Sequence, residues 1–199
     1  MSAQHALKVD KVWCWSDYRS WPDDERWEIV GGVAYAMAPA PSIAHQGVTL
    51  RIAARLERAL RGKPCRPFVA PTDVKLSDIN VVQPDILVVC DPGKIAADCI
   101  DGAPDVVFEV LSPRTASRDL REKKFLYASY GVGEYIIVDP LEHYAIGFML
   151  EGAAYNVGTV FGAQEGLRIA TLDRLEIPLW EIFELPEPSA EPTDKPSNQ

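Results

Sequence analysis

The 199-residue chain lacks several features that would fix its class at once. No apolar run approaches the roughly 20 residues needed to cross a bilayer, and the opening residues are polar, without the apolar segment of a secretory leader. Neither a membrane span nor a signal peptide is therefore expected. The four cysteines, Cys14, Cys65, Cys90 and Cys99, form no CxxC pair. That spacing argues against a zinc site and favours reduced core thiols in a cytoplasmic protein. Basic residues are also in short supply. Twenty Lys and Arg against 29 Asp and Glu give a formal net charge of −9, a poor match for a protein that grips nucleic acid through its phosphates. What is present is 47% hydrophobic residues, in a length suited to one α/β domain with a sizeable core.

Charge is distributed unevenly. Glu184, Glu187, Glu191 and Asp194 face only Lys195, in a Pro-, Ser- and Glu-biased stretch that reads as a disordered acidic tail over 184–199. Elsewhere cations cluster. Arg51, Arg55 and Arg58 share one face of a helix whose other face carries Ile52, Leu56 and Ala59. Arg61, Lys63 and Arg66 follow, and Arg114, Arg118 and Arg121 flank Lys123. The Arg51 stripe reads either as an ordinary solvated face or as a phosphate contact.

Patterning divides the chain into a lead-in (1–25), one globular domain (26–183) and the tail. Trp13, Trp15, Tyr18 and Trp21 in the lead-in suit the cover of a core, with a short helix after Ser16 or Asp17. Gly31-Gly32 between apolar segments predicts a hairpin of strands 27–30 and 33–37. A first long helix is expected over 42–60, then strands near 66–76, 81–90 and 105–111. A helix over 115–130, a buried strand at 134–138 and a second hairpin across Glu151-Gly152 come next. A short strand at 167–169 and a helical turn at 178–183 complete the domain.

The chemistry concentrates between residues 84 and 123. Asp85 precedes Ile86-Leu87-Val88-Val89, and Glu109 interrupts Val106-Val107-Phe108 and Val110-Leu111. Such continuous apolar runs belong to strands covered on both faces, where an ionised carboxylate is costly without a partner. Two acids converging there repel unless a proton or a divalent cation intervenes. An all-oxygen site for Mg²⁺, with Mn²⁺ as substitute, is the simplest solution. On the following helix Leu120, Leu126, Tyr127 and Tyr130 form an apolar face with Lys123 at its centre and Lys124 at its margin. A lysine so placed either snorkels to solvent or finds an anion. Bland alternatives stand beside each assignment: Asp85 as a turn residue, Tyr127 and Tyr130 as core, Asp73 as structural, Asp139 as a strand end and His45 as an exposed histidine.

Pro84-Asp85, Glu109-Val110-Leu111-Ser112-Pro113, Asp119…Lys123…Tyr127 and Gly131-Val132-Gly133-Glu134-Tyr135-Ile136-Ile137-Val138-Asp139-Pro140, in that order, resemble the Uma-two family of restriction-type endonucleases within the PD-(D/E)xK nuclease superfamily. Trp27-Glu28-Ile29-Val30-Gly31-Gly32, Met37-Ala38-Pro39-Ala40-Pro41-Ser42 and His45-Gln46 extend the likeness upstream, so that it covers residues 26–183. The resemblance implies a restriction-endonuclease-like αβββαβ core with a mixed central sheet and extra β-hairpins. The superfamily's usual lysine, two residues after the second acid, is Leu111 here; Lys123 matches a lysine carried on the next helix, with Lys124 its rival. Glu28 matches a further acid of the pattern, as a ligand or a partner for Lys123, with a surface cross-strand pair as its bland alternative. Gln83, two positions before Asp85 on the same sheet face, could position a water or Lys123.

The expected activity is Mg²⁺-dependent hydrolysis of DNA phosphodiester bonds. Asp85, Glu109 and the Val110 carbonyl would hold the metal, and Lys123 would orient the attacking water and offset phosphoryl charge. A duplex substrate suits a homodimer by analogy. Two other classes stay open: an inactive nuclease fold used as a nucleic-acid-binding or assembly module, and a different two-carboxylate hydrolase such as a glycosidase. The last leaves the lysine unexplained.

Overall fold

A computed structural model describes residues 7–8, 11–22, 25–37, 40–113 and 115–189. Most of the expected acidic tail and Arg114 lie outside the described residues. The N-terminal part contributes β1 (Leu7–Lys8), α1 (Trp15–Tyr18), β2 (Trp27–Val30) and β3 (Val33–Ala36). Then come α2 (Ile43–Leu60), β4 (Arg66–Val69), β5 (Val74–Ser77), β6 (Asn80–Val82), β7 (Ile86–Val89), β8 (Ile100–Asp101) and β9 (Val106–Val110). A helix of two α segments, α3 (Ala116–Arg118) and α4 (Lys124–Ser129), leads to β10 (Glu134–Asp139). The chain continues with β11 (Tyr144–Glu151), β12 (Ala154–Tyr155), β13 (Thr159–Gly162), β14 (Gly166–Ile169), β15 (Leu175–Pro178) and α5 (Leu179–Ile182).

The sequence α2-β4-β7-β9-helix-β10 is the expected αβββαβ core, and its strands form a central mixed sheet. The order is β12-β11-β10-β9-β7-β4, with β13 also paired to β11. β9 and β10 are parallel, joined by the helical crossover, while β4/β7, β7/β9 and β10/β11 are antiparallel. Both faces of the central strands are covered, which is why their residues read as unbroken apolar runs. Ile86, Val88, Val106, Phe108 and Ile136 pack under Val48, Ile52 and Leu56 of α2. Leu87, Val89, Val107 and Ile137 point the other way, onto Leu126, Tyr127 and Val132 and onto Val74 and Val82 of a second sheet.

That second sheet, in the order β1-β3-β2-β6-β5-β8, holds the β2/β3 hairpin. Its turn residues Gly31 and Gly32 take φ of 58° and 77°, the pair of positive values that the tight right-twisting hairpin turn demands. Trp27, Ile29, Ala34 and Val81 form its buried centre, against which Trp13, Trp15, Tyr18 and Trp21 pack. The lead-in aromatics therefore cover a core.

Several boundaries differ from the sequence expectation. The strand foreseen over 66–76 is two strands belonging to different sheets, β4 and β5. The one foreseen over 81–90 is broken at Gln83-Pro84-Asp85, because Pro84 has no N–H to give to a ladder. The second hairpin turns at Gly152-Ala153, since Glu151 still pairs with Ala154. β15, which pairs with β14, was hidden by its terminal Pro178. The cysteine expectation also needs correction. The β4/β7 register opposes Arg66 to Val89, so Cys65 and Cys90 meet one step further out and form a disulfide, leaving Cys14 and Cys99 free. Their 25-residue separation concealed this, and thiol usage no longer supports a reducing compartment. Among the described residues no helix is long and apolar enough to cross a membrane.

Unfolded under non-reducing conditions, the protein should titrate two thiols per chain, and four after reduction. Four before reduction would show that the pair stays open in solution.

Candidate active site

Strand register brings the two sequence-predicted acids together. β7 and β9 pair Ile86 with Phe108, so one further step opposes Asp85 to Glu109 on the same sheet face. Directly opposed residues of antiparallel strands have Cβ atoms about 5 Å apart. Asp85 Oδ2 accepts the Val110 N–H at 2.8 Å, which anchors it across the break after Pro84. Both acids line a cavity of about 400 Å³ at this end of the sheet, together with Glu28, His45, Asp119 and Lys123.

Lys123 reaches this cluster from the crossover helix. Between α3 and α4, Asp119–Lys123 form a π turn, whose wider winding alters which side chains face inward. Asp119 and Lys123 are buried while Leu120, expected on the apolar face, is 39% exposed. The Lys123 ammonium lies 2.8 Å from Glu109 Oε1, 2.9 Å from Glu28 Oε1 and 3.9 Å from Asp119 Oδ1. Lys124 instead sits 3.6 Å over the Phe148 ring, away from the acids. One turn beyond Lys123, the fully buried Tyr127 donates its hydroxyl to Glu109 Oε1 at 2.9 Å. Tyr127 is thus core and site at once.

Glu28 is buried rather than a surface pair. Its Oε1 also accepts the Gln83 N–H at 3.0 Å, and its Oε2 meets Arg118 Nη1 at 2.8 Å. The Arg118 guanidinium stacks 4.1 Å over Tyr35. Gln83 lines the cavity; its side chain is held by Arg26, Tyr18 and Asp73, and its backbone N–H is what contacts Glu28. His45 corrects a second expectation. It is 7% exposed, and its Nε2 lies 3.1 Å from Asp85 Oδ2. Helical phase alone could not reveal this, because Asp85, which it meets just before β7, is 40 positions away.

The electrostatics follow from burial. Burial alone would raise Glu28, but Lys123 and Arg118 bring its pKa down to about 2. Glu109 goes the other way: burial, only partly offset by Lys123 and reinforced by Asp119, Asp85 and Glu28, lifts it to about 8. Burial also pushes Asp119 up. Desolvation would lower His45, yet Asp85 and the Val110 backbone raise it. Lys123 is raised by its surrounding carboxylates despite its burial.

Two of the three arginines in the Arg51 stripe have partners within the chain, while Arg58 is exposed. Arg51 donates to the Ile182 carbonyl at 2.6 Å and pairs with Glu184, while Arg55 pairs with Glu181. These contacts dock α5 and the segment after it onto α2.

Comparison with known proteins gives a consistent result. Residues 15–179 match the Uma2 family model, described as "Putative restriction endonuclease". An uncharacterized protein of Synechocystis sp. is 31% identical over 117 residues, a match spanning 56% of this chain and 60% of that protein's length. The crystal structure of a "putative nuclease belonging to DUF820" from Anabaena variabilis superposes with a TM-score of 0.72, covering 86% of this chain and 97% of the other. At 16% identity that likeness speaks to the fold.

Two outcomes test the cluster without reference to activity. Folded Glu109 keeps its proton to about pH 8, against 4.5 for the free side chain. The folded state then binds more protons than the unfolded one across that window, so metal-free stability should fall as pH rises through it. His45 and Asp119, also raised, act in the same direction. Glu109→Gln, which mimics the protonated acid, should remove part of the slope in thermal scans between about pH 5 and 8. An unchanged slope would assign it to other groups. Lys123→Met leaves buried carboxylates facing one another and should cost about 3–5 kcal/mol in urea unfolding. Lys124→Met should cost about 1 kcal/mol or less.

Proposed function

The chain belongs to the Uma2 family, and from that premise we propose that it is a Mg²⁺-dependent endonuclease hydrolysing DNA phosphodiester bonds. The observation that carries this is a charge imbalance. Glu28, Asp85, Glu109 and Asp119 share one cavity with Arg26, Arg118 and Lys123, four acids against three permanent cations; Arg26 is turned onto Gln83, so only Arg118 and Lys123 contact the acids, whose negative charges stay in excess. Either protons or one divalent cation can neutralise them, and the upward shift of Glu109 is the signature of the first state.

The donors suit a hard cation. Among the described residues no three His, Cys, Asp or Glu side chains form a ready cage. Mg²⁺ needs none, because it retains waters and binds through one or two carboxylates. Asp85, Glu109 and the Val110 carbonyl are the groups we assign to it, with Mn²⁺ as an accepted substitute. The hydrogen bonds of each carboxylate fall on one oxygen, Asp85 Oδ2 and Glu109 Oε1. When bound, such an ion supplies Lewis-acid polarisation of the phosphate and a water of lowered pKa.

Lys123 acts on the phosphate directly. Its ammonium has three donors, two of which are taken by Glu28 and Glu109. The third has only Asp119 Oδ1 near it, at 3.9 Å and beyond hydrogen-bond length, and we assign it to a phosphoryl oxygen, where it would offset the charge that develops. Glu28 and Tyr127 fix the lysine and Glu109 relative to each other. One cavity accommodates one scissile phosphate, so double-strand cleavage suits a homodimer.

Supercoiled plasmid with Mg²⁺ or Mn²⁺ should be nicked, and chelator should stop it. Asp85→Asn, Glu109→Gln and Lys123→Met should each lower the rate about 100-fold or more. Lys124→Met should not. DNA binding without cleavage under any divalent cation would select the inactive nuclease-fold binding module instead.

A further inference from the structure

The geometry points to His45 as the positioning residue for Asp85, holding that carboxylate in the orientation a cation requires. This inference rests on the cavity being a cation site, and it adds a group outside the Asp85, Glu109 and Lys123 set. Asp85 stands in the Pro84 break, just before β7 begins; its carbonyl still accepts the Ala70 N–H at 3.0 Å, but that bond leaves the side chain to be fixed by other partners. Two contacts fix it, and both fall on the same oxygen. Oδ2 takes the Val110 N–H at 2.8 Å and faces His45 Nε2 at 3.1 Å. With Oδ2 engaged twice, the carboxylate plane is set and Oδ1 remains as the ligand oxygen.

His45 is itself held. It lies in the first turn of α2, where its backbone N–H caps onto Ser42 Oγ at 3.2 Å. Thr49 Oγ1 donates to the His45 carbonyl at 2.9 Å and stands 3.5 Å from Nδ1. Burial at 7% exposure excludes the alternative of a mobile surface imidazole. A carboxylate acceptor requires the proton on Nε2, so the ring donates to Asp85 from that atom. Outer partners of this kind orient metal-binding carboxylates, and their loss weakens metal affinity about 10–100-fold.

The two amide variants separate this role from simple packing. Gln can place its amide N–H₂ near the Nε2 position, whereas Asn reaches only as far as Nδ1. Both are polar and smaller than or similar to histidine, so both should fold. Mn²⁺ affinity, measured by the loss of free-ion EPR signal, should fall about 10–100-fold in His45→Asn and in His45→Ala. It should stay within about threefold of wild type in His45→Gln. Equal affinities for the Gln and Asn variants, or a His45→Asn variant matching wild type, would overturn the assignment. Wild-type protein that takes up no more Mn²⁺ than Asp85→Asn would refute the cation site itself, and with it this inference.

Discussion

The Lys123 ammonium bridges Glu28 and Glu109, and the remaining groups of the cavity are arranged around that bridge. Glu28 comes from the N-terminal hairpin, Glu109 from the central sheet and Lys123 from the crossover helix. The contact therefore joins the second sheet to the αβββαβ core at the point where both meet the helix. A buried ion pair of this sort is weak evidence for stability, because desolvation cancels much of the attraction. Its value here is positional: once Glu28 is charged and paired, Glu109 is left with a shared cation and a raised pKa. The cluster is held short of neutrality by its own geometry.

That arrangement explains how much could be read from the chain alone. Asp85 and Glu109 were legible because charge is anomalous inside Val-, Ile- and Leu-rich strands, and no partner need be known to see the anomaly. Lys123 was legible through helical phase. Phase also promised Leu120 on the buried side, and failed there because a π turn cannot be read from spacing. His45, Arg118 and the Cys65–Cys90 pair were obscured for a different reason. Each acquires its role from a partner on another element, and strand register decides which residues oppose one another. Gln83 was placed on the correct face, but its amide was already committed to Arg26, Tyr18 and Asp73.

The basic residues show the same limit. An arginine stripe beside an apolar face is equally compatible with nucleic acid, solvent or another part of the chain. In the fold, Arg51 and Arg55 are consumed by Ile182, Glu184 and Glu181, so α5 and not a phosphate backbone is their partner. The cavity-lining residues of α2, His45, Gln46 and Thr49, lie on the other flank of the helix. A net charge of −9 is then less of an obstacle to the proposed substrate than it first looks, since association with a polyanion would depend on the local field at the site and not on the total. Arg26, Arg118 and Lys123 line the cavity among the acids, and the divalent cation proposed above would complete the balance.

Carrying the lysine on a helix instead of on the strand after Glu109 has a structural consequence. A lysine at position 111 would extend from the end of β9, on the sheet face that already carries Glu109 and Asp85. Leu111 there is 7% exposed and packs with Val107, Leu126 and Tyr127, sealing the sheet beneath the cavity. From the helix, Lys123 approaches at the opposite wall and meets Glu28 as well. Tyr127, one turn on, fixes the same Glu109 oxygen, so a single helical face delivers both a cation and a hydroxyl to one carboxylate. The π turn is what makes this face available, by turning Leu120 outward and Asp119 inward behind the lysine. Straightening that segment into a regular α-helix would keep Lys123 and Tyr127 one turn apart but change which of Asp119 and Leu120 faces the cavity, so the acid behind the lysine depends on the winding of the helix as well as on its sequence.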